Sequence, residues 1–160
     1  MLRDQQISEG QAGSSATADR PLRIALLSYR SKAHSGGQGI YVRHLSRELA
    51  ALGHEVEVIS GPPYPELDAG PTLTQVPSLD LYREPDPFRV PKVREFRSPI
   101  DVYEFLSVCT GSFPEPLTFS LRARRLLEKR PADQRPDIVH DNQTLGYGML
   151  FMDRPGMPVV

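Results

Sequence analysis

Apolar residues enter this chain in short blocks that alternate between two periods. Leu22 to Tyr29 contains the uninterrupted run Ile24-Ala25-Leu26-Leu27, the pattern of a parallel strand covered on both faces. A polar, glycine-bearing turn follows from Arg30 to Gly39. Tyr41, Leu45, Leu49 and Leu52 then recur at helical spacing, which predicts a helix of roughly four turns with these residues on its apolar face. Gly53 stands where a left-handed C-terminal cap belongs, and His54 to Ser60 returns to strand character through Val56, Val58 and Ile59. Strand, glycine-rich loop, helix and strand in this order form a βαβ crossover and begin a parallel sheet.

The pattern changes between Gly61 and Ile100, where nine of the sixteen prolines fall. Proline supplies no ladder donor, so this stretch reads as an ordered but irregular excursion with a short third strand at Leu73 to Val76. Tyr82, Phe88, Val90, Val93 and Phe96 are expected to pin it to the domain. Asp101 to Cys109 is predicted helical, with Asp101 as N-cap and Val102, Phe105, Leu106 and Cys109 on one face, and Gly111 helps to end it. A further helix runs from about Pro116 to Arg130 with Phe119, Ala123, Leu126 and Leu127 inward and Arg122, Arg125 and Lys129 outward. Pro131 and Pro136 bracket a turn. Asp137 to His140 then reads as a strand, Leu145 to Met152 as a short helix, and Pro158-Val159-Val160 as the first residues of another strand. The expectation is an α/β fold: a disordered tail over 1–20, then a Rossmann-like parallel sheet with flanking helices over 21–160, with the proline-rich excursion at about 61–100.

Composition narrows the function classes. With 160 residues, 39% apolar and 24% charged, the chain can bury a core, and its formal charge of −1 removes the global electrostatic argument for nucleic acid as partner. A single cysteine, Cys109, excludes an internal disulfide framework and reads as a core residue of its helix, and the reducing cytoplasm is the natural compartment. Neither a signal-type apolar region nor a stretch of ~18 apolar residues is seen. Two basic clusters, Arg89/Lys92/Arg94/Arg97 and Arg122/Arg124/Arg125/Lys129/Arg130, are either solvated faces or contacts to an acidic acceptor or the inner face of a membrane. His34, His44 and His54 are not spaced as ligands, and Glu84-Pro85-Asp86 stands in place of an Asp-x-Asp pair, so no metal site is expected.

Two segments can carry chemistry. Ser35-Gly36-Gly37-Gln38-Gly39-Ile40 lies between the first strand and its helix, where open parallel sheets bind ligands and unpaired helix amides attract anions. Gly36, Gly37, Gln38 and Gly39 are therefore candidate substrate-binding positions; the other reading is a tight turn that needs glycine and binds nothing. A dinucleotide fingerprint fails, since Val42 takes the place of the third glycine and the second strand ends Ile59-Ser60-Gly61 without a carboxylate. No Gly-Lys-Ser/Thr follows the glycines either, which excludes a P-loop. The second segment is His140-Asp141-Asn142-Gln143, after the last strand and on the same sheet edge. His140, Asp141 and Asn142 can hydrogen-bond a sugar or phosphate, or Asp141 and Asn142 can cap the helix that follows. The glycosylation sequon Asn142-Gln143-Thr144 is read as chance without a secretion signal.

Taken together, Arg23-Ile-Ala-Leu-Leu-Ser-Tyr29, Ser35-Gly-Gly-Gln-Gly-Ile-Tyr41, Leu49-Ala-Ala-Leu-Gly-His-Glu-Val-Glu-Val-Ile59 and Pro136-Asp-Ile-Val-His140 resemble the N-terminal domain of glycosyltransferase family 4. The resemblance implies a GT-B architecture, retention of configuration, and transfer from a nucleotide-diphosphate sugar, as co-substrate with no further cofactor, to a sugar, lipid or small-molecule acceptor. It places Gly36, Gly37 and Gly39 along the cleft and His140 and Asn142 near the acceptor or donor sugar. Many relatives carry His-x-His where this chain has His140-Asp141-Asn142. The resemblance also implies a C-terminal donor domain, without which the chain would be nearly inactive, and it assigns no catalytic residue here. A non-enzymatic sugar- or phosphate-binding module and an inactive fragment are the alternative readings.

Overall fold

A computed structural model of the chain describes residues 20–32, 37–86, 88–142, 147–150 and 156–160. The expected tail lies outside these residues except for Arg20, which pairs with Asp137 at 2.9 Å. Four strands, β1 (Arg23–Ser28), β2 (Glu55–Ser60), β3 (Thr72–Gln75) and β4 (Ile138–Asp141), form one sheet in the order β3-β2-β1-β4. All pairings are parallel, with Leu26 opposite Val58 on one side and His140 on the other. Val159 adds a parallel bridge beside Val139, as the closing Pro-Val-Val pattern predicts. The parallel sheet with flanking helices is the expected Rossmann-like α/β arrangement.

Because side chains alternate along a strand, β1 divides its apolar run between two cores. Ile24 and Leu26 join Val56, Val58 and Val42 under helix α1 (Gly37–Ala51). Ala25 and Leu27 join Ile59, Val139, Phe119, Ala123 and Leu127 under helix α3 (Glu115–Glu128). Gly53 ends α1 at φ 91°, the left-handed cap position.

The inward face of α1 is not the one that the leucine spacing marks. Gly39, Val42 and Ser46 are buried, Leu45 and Leu49 flank them, and Tyr41 and Leu52 are exposed. The reason is steric: a Cβ at Gly39 would press into the Lys32 carbonyl, so the small residues of the helix set its contact stripe. The excursion is likewise held by Val76, Leu79 and Leu81, all buried, while Phe88, Val90 and Val93 face solvent.

Helix α2 (Pro99–Cys109) departs furthest from expectation. Its N-cap is Ser98, and Asp101 lies inside the first turn, accepting hydrogen bonds from the Arg97 and Ser98 amides at 2.9 and 2.7 Å. It buries Ile100, Asp101 and Glu104, leaving Val102, Leu106 and Cys109 exposed. Charge pairing explains this inversion. Arg122 of α3, read as outward, is only 10% exposed and donates one nitrogen both to Asp101 at 2.6 Å and to Glu104. Glu115 completes this cluster through Arg30 at 3.1 Å. Burial pushes the Glu115 carboxyl up to about 7; Arg30 opposes the shift and Glu104 adds to it.

Two outcomes follow for stability. Gly39→Val should lower the melting temperature, costing about 1–3 kcal/mol by overpacking, whereas Gly37→Val, where no atom lies within 4 Å of the added Cβ, should leave it nearly unchanged. Glu115 binds its proton more tightly folded than unfolded, so its contribution is full below about pH 4.5 and fades as pH rises through about 7. Denaturant titrations at pH 5 and 8 should show Glu115→Gln removing part of that decline, on the order of 2 kcal/mol; an unchanged slope would contradict the buried-acid assignment.

Candidate active site

The carboxyl ends of β1 and β4 place the candidate residues. Ser28 and Ser31 hydroxyls meet at 2.5 Å and the Ser31 amide donates to the Pro63 carbonyl at 3.0 Å, which bends the chain away from β1. Lys32 then presents its carbonyl to the open side of Gly39. The first-turn amides of α1 have no acceptor within the helix and carry its positive dipole end. Gly37 and Gln38, placed in a loop by the sequence pattern, thus belong to the helix itself.

On the neighbouring strand, the Asn142 amide donates to the Leu27 carbonyl at 3.1 Å, fixing Asn142 just beyond β4 and against the end of β1. Gly37, Gln38, Tyr41 and Asn142 together line a cavity of about 360 Å³. The Asn142 side-chain nitrogen Nδ2 is buried and has no hydrogen-bond partner. A buried donor without a partner costs about 1–3 kcal/mol. Tyr41 is half exposed on the same wall. Sequence reading assigned it to the core, yet it stands one turn after Gly37, the spacing that puts two side chains on one helix face.

The remaining sequence candidates are placed differently. Gly39 is shut against Lys32 and does not line the cavity. His140 and Asp141 are half-buried in β4, opposite Leu26 and Leu27, and do not line it either. Gly36 and Gln143 lie outside the described residues, as does much of the predicted helix at Leu145 to Met152, of which Tyr147–Met149 forms a 3-10 turn. Among the described residues, no group of three or more His, Cys, Asp or Glu is placed to hold a metal ion, and no helix is long and apolar enough to cross a membrane.

Further along the same sheet edge, aromatic rings close ranks. Tyr82 lies 5.3 Å from Phe113 and 5.2 Å from Phe88, and the Arg30 guanidinium sits 5.9 Å over the Tyr82 ring. A larger cavity, about 470 Å³, opens at the opposite, amino edge of the strands. Its charged walls are already joined, since Arg130 grips the Glu57 carboxylate through two hydrogen bonds at 2.6 and 2.7 Å. Burial raises the Glu57 pKa, but the bonds from Arg130 and Thr74 outweigh it and hold the carboxyl below its ordinary value. The carboxyl-edge cavity offers the N-terminal turn of α1 and its dipole, at the end of the strands where open parallel sheets bind ligands.

Comparison with known proteins supplies the family. Over 140 residues, 87% of this chain, it is 64% identical to "MMP alpha-(1->4)-mannosyltransferase" of Mycolicibacterium hassiacum (strain DSM 44199 / CIP 105218 / JCM 12690 / 3849). The chain spans about a third of that relative's length, 34%. The family described as glycosyl transferase 4-like domain matches residues 36–160, which take in α1 through the Val159 bridge. This chain therefore belongs to the glycosyl transferase 4-like domain family.

Proposed function

We propose that this chain forms the N-terminal, acceptor-side half of a retaining mannosyltransferase of GT-B architecture, which uses a mannosyl nucleoside diphosphate as donor and is completed by a C-terminal donor domain. The observation that carries this reading is that Gly37 and Gln38 of the first turn of α1 and Asn142, whose Nδ2 is buried without a partner, line one cavity at the carboxyl edge. Family membership and the mannosyltransferase relative support it. That relative's name specifies an α linkage; forming one from an α-configured nucleotide sugar is retention.

In this reading the Gly37 and Gln38 amides donate to phosphate oxygens of the donor. Their fixed dipoles stabilise the charge that grows on the leaving diphosphate and need no reorganisation as it develops. The bare α-carbon of Gly37 lets those oxygens approach the main chain. Asn142 donates from Nδ2 to a sugar hydroxyl or phosphate oxygen and so fixes the orientation of the transferred group. Tyr41 forms the adjacent wall. Closure of a second domain over this edge excludes water, which protects the activated sugar from hydrolysis.

The test is release of nucleoside diphosphate by the full-length enzyme, supplied with mannosyl nucleoside diphosphate and an oligomannoside acceptor. Gly37→Val should reduce kcat/KM by about 10–100-fold while the melting temperature holds, and Asn142→Ala should reduce it by about tenfold or more, as expected for losing hydrogen bonds to a charged group. Turnover untouched by both variants would overturn the assignment of this cavity.

A further inference from the structure

The two basic runs of the sequence meet in space. The stretch after β3, the start of α2 and the flank of α3 enclose a cavity of about 700 Å³ whose walls include Arg83, Arg89, Arg97, Arg122, Arg125 and Lys129. Only two carboxylates share those walls, and both are engaged: Glu95 with Arg89 at 2.5 Å and Asp101 with Arg122 at 2.6 Å. Among the described residues, Arg83, Arg97, Arg125 and Lys129 have no carboxylate within ion-pair distance. Arg124 and Arg130, from the same basic run, are instead consumed by Glu128 and Glu57. The fold thus sorts the basic residues, pairing Arg124 and Arg130 elsewhere and bringing Arg97, Arg122, Arg125 and Lys129 around one hollow, while Lys92 and Arg94 lie outside it.

A second observation points to a ligand. The Arg122 side chain is nine-tenths buried, at 10% exposure, and its Nη2 serves both Asp101 and Glu104 while Nη1 is buried with no partner. A charged donor left this way is costly unless an acceptor arrives from outside the fold. Val76, Ile100 and Leu126 supply an apolar part of the lining, and low-dielectric walls strengthen the field of the surrounding cations. Guanidinium groups match phosphate oxygens two at a time. Arg83, Arg97, Arg125 and Lys129 are solvent-exposed around this hollow, and a concave site suits a compact solute rather than a flat lipid surface.

We propose that this cavity is a binding site for a small polyanion bearing at least two phosphate groups, separate from the α1–Asn142 cavity and held by Arg97, Arg122, Arg125 and Lys129. The probe is inorganic tripolyphosphate, titrated calorimetrically into the full chain at low salt and again near 0.5 M salt, where screening is strong. Saturable binding is expected at low salt. In Gly37→Val, which removes phosphate binding at the α1–Asn142 cavity, saturable binding should persist, and there it should weaken at least tenfold on adding Arg125→Glu and Lys129→Glu in a variant whose melting curve matches the parent. If the double variant does not fold, Arg125→Gln and Lys129→Gln singly should each weaken binding about threefold or more. Absence of saturable binding to the parent chain would overturn the proposal, as would equal binding by the charge variants or loss of binding in Gly37→Val alone. Binding to vesicles containing an anionic phospholipid, without binding to tripolyphosphate, would overturn it in favour of a membrane contact.

Discussion

A missing methyl group at position 39 governs the geometry on which the site depends. Helix α1 can rest its first turn on the Lys32 carbonyl only because Gly39 has no Cβ to intervene. Once that turn is seated, Gly37 and Gln38 line the cavity beside Asn142, where β4 ends. The opposing wall is set just as directly, by the main-chain bond from Asn142 to Leu27. Two backbone contacts therefore define the width of the cavity, and backbone contacts are stiffer than any pair of long side chains would be.

Much of this was legible in the sequence, for reasons that differ between elements. Strands β1 and β2 are buried on both faces, so their apolar runs read directly, and Gly53 marks the end of α1 because few other residues adopt its positive φ. Apolar spacing misleads where burial is decided by fit or charge. In α1 the small residues Gly39 and Ser46 lie inward, and Leu52, just past its end, lies outward, since space beneath the helix is scarce. In α2 the carboxylates lie inward because Arg122, twenty-one residues from Asp101, neutralises them, and no local window contains that partner. At the site, position along the parallel sheet was enough to mark Gly37, Gln38 and Asn142. The closure of Gly39 by Lys32 and the part taken by Tyr41 depend on the direction in which α1 leaves β1, which spacing does not encode.

The charged cluster between α2 and α3 is an unusual way to join two helices. Asp101, Glu104 and Glu115 are each less than a tenth exposed, held by Arg122 and Arg30 where most domains would use aliphatic contacts. Such an arrangement contributes less net stability than an apolar seam of equal size, because both partners lose their hydration. It does fix orientation, since a guanidinium that serves two carboxylates tolerates little sliding of one helix along the other. The same Arg122 lines the basic cavity, so the packing of α2 on α3 and the charge of that hollow are set by one side chain.

The amino edge of the sheet is stitched with unusual density. Arg23 and Asp137 exchange main-chain and side-chain bonds, the His54 ring accepts from the Leu22 amide, and Arg130 locks onto Glu57. These clasps hem the sheet at the margin opposite the Gly37–Asn142 cavity, so a substitution that loosens the hem acts a whole strand's length away from that cavity.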